Sequence, residues 1–374
     1  GFGPNLRYLR IAKNNKKISD VAFKDQVTAT VTQIANIYWD LVSAYEQANV
    51  NQQSLDFATQ TLDNTRKQLQ LQAVPEMDVM RSEAEVSKRQ QDLTVAKTSL
   101  ELQESLIKNA LTRSLDDPTI EAMPVIPTDR MENINTSSAG APVQDLIATA
   151  LQDRPELLES DIDLQNRKIS QQATKNALLP TVNLLAYYGG TGLAGLGNPN
   201  YTLSPNPITV PADFGGALNN TFNNSSPDYF VGLNIQVPIR NRIAKADQFR
   251  SELEYRQSEL RREQLKKQIR IEVRNAQYAY EQTAARVEAA VKARDLAQRT
   301  FETMKKEQEL GAGSNYQTLT AQRDLALAQL DLVTAQTTYQ KSKVELDRAT
   351  GQTLEHNDIQ IQEAIKGVVS EPAK

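Results

Sequence analysis

The chain has 374 residues, 42 basic and 46 acidic side chains, a net charge of −4, one histidine and no cysteine. Interspersed charges with no basic face argue against a nucleic-acid binder, and the lack of thiols excludes disulfides and thiolate chemistry. With 39% hydrophobic and 6% aromatic residues, and long stretches rich in Gln, Ala, Leu, Arg and Glu, the composition fits long paired helices with thin apolar seams rather than compact globules.

Residues 1–4 read as loop. From about Asn5 to Ala73 the chain predicts one long helix: Ile18, Val21, Val27, Val31, Ile34, Tyr38, Leu41 and Tyr45 recur at three-to-four spacing, uninterrupted by proline. Pro75 breaks this pattern, and Asp78 falls in the first turn of the next helix, where a carboxylate suits the dipole. That helix is expected to run to about Leu115 and stop at Asp116-Asp117-Pro118. Pro118 to Pro142 reads as irregular, and a short helix follows over about Val143 to Gln152. Asp153-Arg154-Pro155-Glu156 restarts a helix, with Pro155 at its first position, running to about Leu178.

Thr181 to Tyr188 predicts a strand, followed by a long Asn/Pro/Gly loop; seven of the fifteen glycines lie between Gly189 and Gly216. Tyr229 to Val237 is the second strand. Tyr229, Val231, Leu233, Ile235 and Val237 share one face, and Phe230, Gly232, Asn234 and Gln236 share the other. Its length matches the roughly nine to eleven residues that a tilted strand needs to cross a bilayer. Tyr187, Tyr188, Tyr229 and Phe230 would suit an interfacial aromatic girdle. Residues 241 to about 310 predict a second long helix, on the order of 105 Å at the α-helical rise. Gly311-Ala312-Gly313-Ser314 ends it with Ser314 as the next N-cap, and a return helix runs to Thr350 and stops at Gly351. The tail from Gln352 is polar and expected to be partly disordered.

The long helices repeat. Val86, Leu93, Leu100 and Ile107 fall every seventh residue, and so do Leu325, Leu332, Tyr339 and Leu346, each the same 239 residues later (86 to 325, 107 to 346). A seven-residue spacing keeps one narrow stripe on a neighbouring helix. Asp92 maps on Asp331, Ala96 on Ala335, Asp56 on Asp295, and Trp39 with Leu41 on Tyr278 with Tyr280, so the chain reads as a tandem duplication of one helical hairpin. At the same shift Arg240-Asn241-Arg242 lands on Gly1-Phe2-Gly3, so the first copy's strand pair is expected before residue 1.

Catalysis finds no foothold. His356 stands alone in the polar tail, Asp116-Asp117 reads as a helix stop, and the glycines at 192–197 follow no nucleotide-binding unit. Lys266, Lys267 and Arg270 belong to a mixed-charge solvated face. No enzyme activity, cofactor or metal is expected. No run of eighteen apolar residues offers a membrane-spanning helix. Two strands alone would leave open sheet edges, an objection that a barrel shared with other chains removes.

In this order and spacing the chain resembles the TolC-like outer-membrane efflux proteins, the exit ducts of tripartite pumps and type I secretion systems. The resemblance rests on the duplicated hairpins, Arg154-Pro155-Glu156-Leu157 opening a helix, Leu179-Pro180 leading into a strand and the passage around Val237-Pro238-Ile239. It rests also on Leu310 to Ser314 followed by Leu319-Thr320-Ala321-Gln322. It implies a mainly α fold with a membrane β-barrel contribution: a homotrimer whose strands share an outer-membrane barrel and whose hairpins form an α-barrel across the periplasm.

The implied segments are 1–118, first helical hairpin; 119–179, equatorial segment and helix leading to the barrel; 180–238, barrel hairpin with its long loop. Residues 239–351 form the second helical hairpin and 352–374 an equatorial tail. The implied partners are outer-membrane lipid, a periplasmic adaptor and an inner-membrane pump, and the implied function is passive export gated at the hairpin tips. Pro75, Asp78, Gly311, Gly313, Gln317 and Thr320 would form that periplasmic gate. Gln317 and Thr320 stand where the family often carries acids, so a polar constriction is expected in place of a cation-binding ring. Asp78 matches a family acid that helps to hold the entrance closed, while Gly313 stands at its basic partner's position. A periplasmic adaptor or a soluble coiled-coil scaffold is the alternative; an adaptor would carry one hairpin between small β-domains, whereas here two hairpins flank one strand pair.

Overall fold

A computed structural model of the chain describes residues 6–112, 123–131, 142–196, 210–224, 226–310, 312–361 and 364. In chain order these hold α1 (Arg7–Gln70), α2 (Glu76–Leu111), α3 (Val143–Asp153), α4 (Pro155–Asn176), β1 (Thr181–Gly190), α5 (Phe214–Phe222), β2 (Pro227–Gln236), α6 (Arg242–Glu309), α7 (Asn315–Thr350) and α8 (Thr353–His356). The chain divides into two compact units, residues 1–13 with 164–258 and residues 14–163 with 259–374.

The second unit holds most of the two hairpins, the first residues of α1 and α6 belonging to the other. In the α6–α7 hairpin Val287, Ala290, Leu332, Ala335 and Tyr339 form one buried cluster, so the seven-residue stripe is the seam. Leu93 and Ile107 are its buried counterparts in α2. A fully buried Leu or Ile is worth about 1.5–3 kcal/mol, so a few such positions hold the seam. The duplication has diverged at one matched pair. Where the first copy has Leu41 and Leu100, the second has Tyr280 and Tyr339, whose hydroxyls are hydrogen-bonded at 2.9 Å with ring centroids 5.2 Å apart. Burial, with the bond to Tyr280, pushes the Tyr339 phenol up to about 12. Buried threonines are also tolerated, because Thr32, Thr65 and Thr337 each donate to the carbonyl four residues back at 2.8 Å.

A second cluster of Ile147, Ala150, Leu157, Ile269, Val273, Ala276 and Ala349 joins α3 and the start of α4 to the hairpin. At its centre the Arg154-Pro155-Glu156 turn becomes an ionic hub: Arg154, with 6% of its side chain exposed, bonds Glu156 and Glu272, both at 2.5 Å. Gly351 ends α7 in the left-handed region at φ 81, and a Cβ there would meet Asp153 C at 3.2 Å and Arg154 N at 3.3 Å. Gly351→Ala combines that φ with a tight approach to backbone. A loss of about 1–2 kcal/mol is expected, read as a lower unfolding midpoint.

The helix stop expected at Leu115 comes at Leu111, and the backbone NH and hydroxyl of Thr112 both bond the Lys108 carbonyl. Residues 113–122, including Asp116 and Asp117, lie outside the described residues. Of the tail, residues 352–361 and 364 are described: Thr353–His356 forms a helical turn with Leu354 buried, and His356 Nδ1 lies 3.0 Å from Asp347, while the rest of the segment expected to be partly disordered lies outside the described residues. His356 is exposed, with Asp347 beside it.

In the first unit β1 and β2 pair antiparallel, Thr181 opposite Gln236 through Gly190 opposite Pro227. The loop between them is not wholly irregular, since Phe214–Phe222 forms α5. Asn241 donates to the Ala177 carbonyl at 3.4 Å, and Arg167 pairs with Glu254 at 3.3 Å, tying α4 to the start of α6.

Candidate functional site: hairpin tips and an apolar strand face

The two reversals are built differently. At the first, the Ala73 NH bonds the Gln68 carbonyl, Gln72 takes φ 55, and Pro75 precedes α2 as an N-cap without a side-chain hydrogen bond. Glu76 and Asp78 supply negative charge to that first turn instead. At the second, Ser314 and Gln317 form a capping box: the Tyr316 NH donates to Ser314 Oγ at 3.3 Å and the Ser314 NH to Gln317 Oε1 at 3.4 Å. Gly313 is required by close approach, because a Cβ there would stand 2.8 Å from Gln308 N.

Side chains tie the two tips together. Asn315 Nδ2 donates to Gln68 Oε1 at 2.9 Å and Thr65 Oγ1 at 3.3 Å, while its Oδ1 accepts from Gln308 Nε2 at 2.6 Å. The Arg81 guanidinium lies 5.9 Å from the Tyr316 ring centroid and 3.4 Å from Asp78. Further along, Gln322 Nε2 donates to Ser54 Oγ at 3.0 Å, and Lys341 bonds Asp40 at 2.6 Å.

On the strand pair the register sorts residues by chemistry. Val182, Leu184, Ala186 and Tyr188 of β1 lie opposite Ile235, Leu233, Val231 and Tyr229 of β2, so one face is wholly apolar. Asn183, Asn234 and Gln236 stand on the other. The expected girdle is divided by this alternation: Tyr188 and Tyr229 share the apolar face, whereas Tyr187 and Phe230 pair on the opposite one. There a Cβ on Gly232 would meet the Phe230 ring, and one on Gly189 the Tyr187 ring. Val237 lies one residue beyond β2.

Residues 146–352, more than half of the chain, match the family model of outer membrane efflux proteins. The chain belongs to the outer membrane efflux protein family. Its fold is similar to the CmeC outer membrane channel of Campylobacter jejuni, at 18% identity over 98% of this chain and 71% of that one, with a TM-score of 0.67. It is similar also to the VceC outer membrane protein of Vibrio cholerae, at 16% identity, 93% and 76% coverage and a TM-score of 0.69. The open state of the MtrE outer membrane channel of Neisseria gonorrhoeae gives 17%, 94% and 72%, and 0.69. No curated protein sequence matches the chain. Members of this family are transport proteins and not enzymes.

Within this efflux protein the residues expected at the tips fall in distinct settings. Pro75 and Asp78 open α2, Asp78 finding its cation in Arg81 on its own helix. Gln317 is exposed and occupied in its cap, Thr320 donates back to the Tyr316 carbonyl at 2.9 Å, and Gly311 lies outside the described residues. Asn315, Thr65 and Gln68 were not anticipated; only their placement within one or two turns of the reversals could have marked them. Nor was the capping box, although Ser314-x-x-Gln317 is its sequence signature. An apolar cavity of about 800 Å³ also lies in the hairpin unit, with Tyr38, Trp39, Ile107, Ile126 and Val344 on its walls. Among the described residues, no cluster of His, Cys, Asp or Glu could hold a metal ion, and no helix is long and apolar enough to cross a membrane.

Proposed function

We propose that this efflux protein is a passive trimeric exit duct, working with a periplasmic adaptor and an inner-membrane pump that supplies the energy. The observation that carries this reading is the strand pair. In one chain its apolar face is exposed and both outer edges lack a ladder partner among the described residues. Pairing with strands of further copies satisfies the edges, and hydrocarbon covers the face. Tyr229, Val231, Leu233, Ile235 and Val237 would then meet lipid, with Val182, Leu184 and Ala186 beside them. The hairpins supply the wall of a periplasmic tunnel, and residues 119–153 with 352–374 an equatorial belt. Pro75, Asp78, Gly311, Gly313, Gln317 and Thr320 are assigned to the periplasmic entrance, where adaptor contact would bias closed and open packings of the tips.

Leu233→Arg tests this reading against Asn234→Arg one residue away. A cation on the lipid face costs about 2–4 kcal/mol near the midplane, and one on the lumen face far less. Leu233→Arg is expected to reduce the amount of assembled protein in the outer-membrane fraction several-fold, with Asn234→Arg near wild type. Equal behaviour of the two would contradict the assignment of faces.

A further inference from the structure

The loop helix α5 carries a second apolar surface. Phe214, Leu218 and Phe222 recur every fourth residue, so they form one stripe along the helix. They are 77%, 45% and 78% exposed, while Ala217 on another side is buried. Nothing in residues 214–222 is charged.

The position of this helix is fixed by two glycines and an amide. Gly190 shares the alternation of Leu184 and Tyr188, and a Cβ there would run into the Thr221 carbonyl. A Cβ on Gly192 would run into the Ala217 carbonyl. Asn224 Nδ2 donates to the Tyr188 hydroxyl at 2.5 Å. The Gly190 and Tyr188 contacts place α5 against the end of the hairpin on its apolar side, Gly192 adds a close approach just beyond β1, and side chains larger than glycine at 190 and 192 would keep the helix off.

We propose that α5 is an interfacial anchor, its Phe214–Leu218–Phe222 stripe seated at the boundary between lipid headgroups and acyl chains. The inference rests on the reading that the apolar strand face meets lipid. Continuity selects the occupant, since α5 packs on the side of that face at the end where its two tyrosines stand, with its stripe exposed. The neutral helix has no charge to offer a headgroup, so attachment would come from apolar burial. The stripe's residues would otherwise stand in water beside a face already committed to hydrocarbon.

The chain has no cysteine, so single cysteines accept a polarity-sensitive fluorophore at one site each. Leu218→Cys, Asn219→Cys and Leu233→Cys would be labelled in the full chain and reconstituted in phosphatidylcholine vesicles with or without bromine on the acyl chains. Loss of emission in brominated lipid is expected at positions 218 and 233, with position 219 retaining its signal. Loss at 233 without loss at 218 would overturn the anchor and leave the strand reading intact, as it would if a second copy or residues 197–209 covered the stripe. No loss at 233 would overturn the strand reading itself, and the anchor with it. Equal loss at 218 and 219 would overturn the assignment to one helix face.

Discussion

Arg154→Leu is expected to lower the stability of the fold by about 3–5 kcal/mol, the usual cost of removing one partner from a buried ion pair. The guanidinium is nearly inaccessible and holds Glu156 and Glu272 at the junction of α3, α4 and α6. Removing it would leave two half-buried carboxylates without their cation. Arg154→Lys keeps the charge but loses the planar fork, and should fall between the two. Burial pushes Glu156 up, but the hydrogen bond and charge of Arg154 outweigh it and hold the carboxyl below its ordinary 4.5. Glu272 shows the same balance, with Gln268 adding a hydrogen bond.

A depressed carboxylate stabilises the fold fully above its unfolded pKa and loses that contribution as pH falls through its folded value. Wild-type stability should therefore decline below about pH 4.5, and Arg154→Leu should flatten that limb. Asp25 carries the opposite sign: burial and then Glu156 push it up, so its ionisation opposes folding and Asp25→Asn should stabilise slightly at neutral pH. Unfolding midpoints of the three variants across acid and neutral pH would check the set.

Asn315→Ala is the second large effect, on transport in place of stability. One amide connects α1, the end of α6 and the start of α7 through Thr65, Gln68 and Gln308. Each neutral hydrogen bond is worth about 1 kcal/mol net, so the tie contributes about 2–3 kcal/mol to the packing in which it is made. Losing that much shifts the proposed two-state tip by roughly thirty- to a hundred-and-sixtyfold toward the loosened packing. The variant should therefore conduct more often in a planar bilayer without the adaptor, and cells should take up large outer-membrane-excluded solutes. Unchanged conductance would separate the tie from gating.

How far these features could be read from the chain depended on how local their causes are. The seam, the strand alternation, Ser314 and the Gly351 stop follow from spacings of two to seven residues, and each appears in the fold. Helix α5 escaped because Gly215, Gly216, Asn219 and Asn220 are poor helix formers; its contact with Gly190 and Gly192 supplies what propensity lacks. The hub was half visible. Pro155 announced a helix start, but Glu272 lies 118 residues from Arg154, and no local period links them. The same distance problem hid Asn315, whose partners Thr65 and Gln68 come from the other copy of the hairpin. Tyr280 with Tyr339 was visible as a matched departure from Leu41 and Leu100, though only the structure shows the hydroxyls meeting.

On the proposed reading, several copies complete a membrane barrel that one chain cannot close. The most direct measurement is the native mass of the assembly taken from outer membranes. Release only by detergent, and a mass of three protomers, would bear out that reading. A single copy released by an aqueous wash would contradict it.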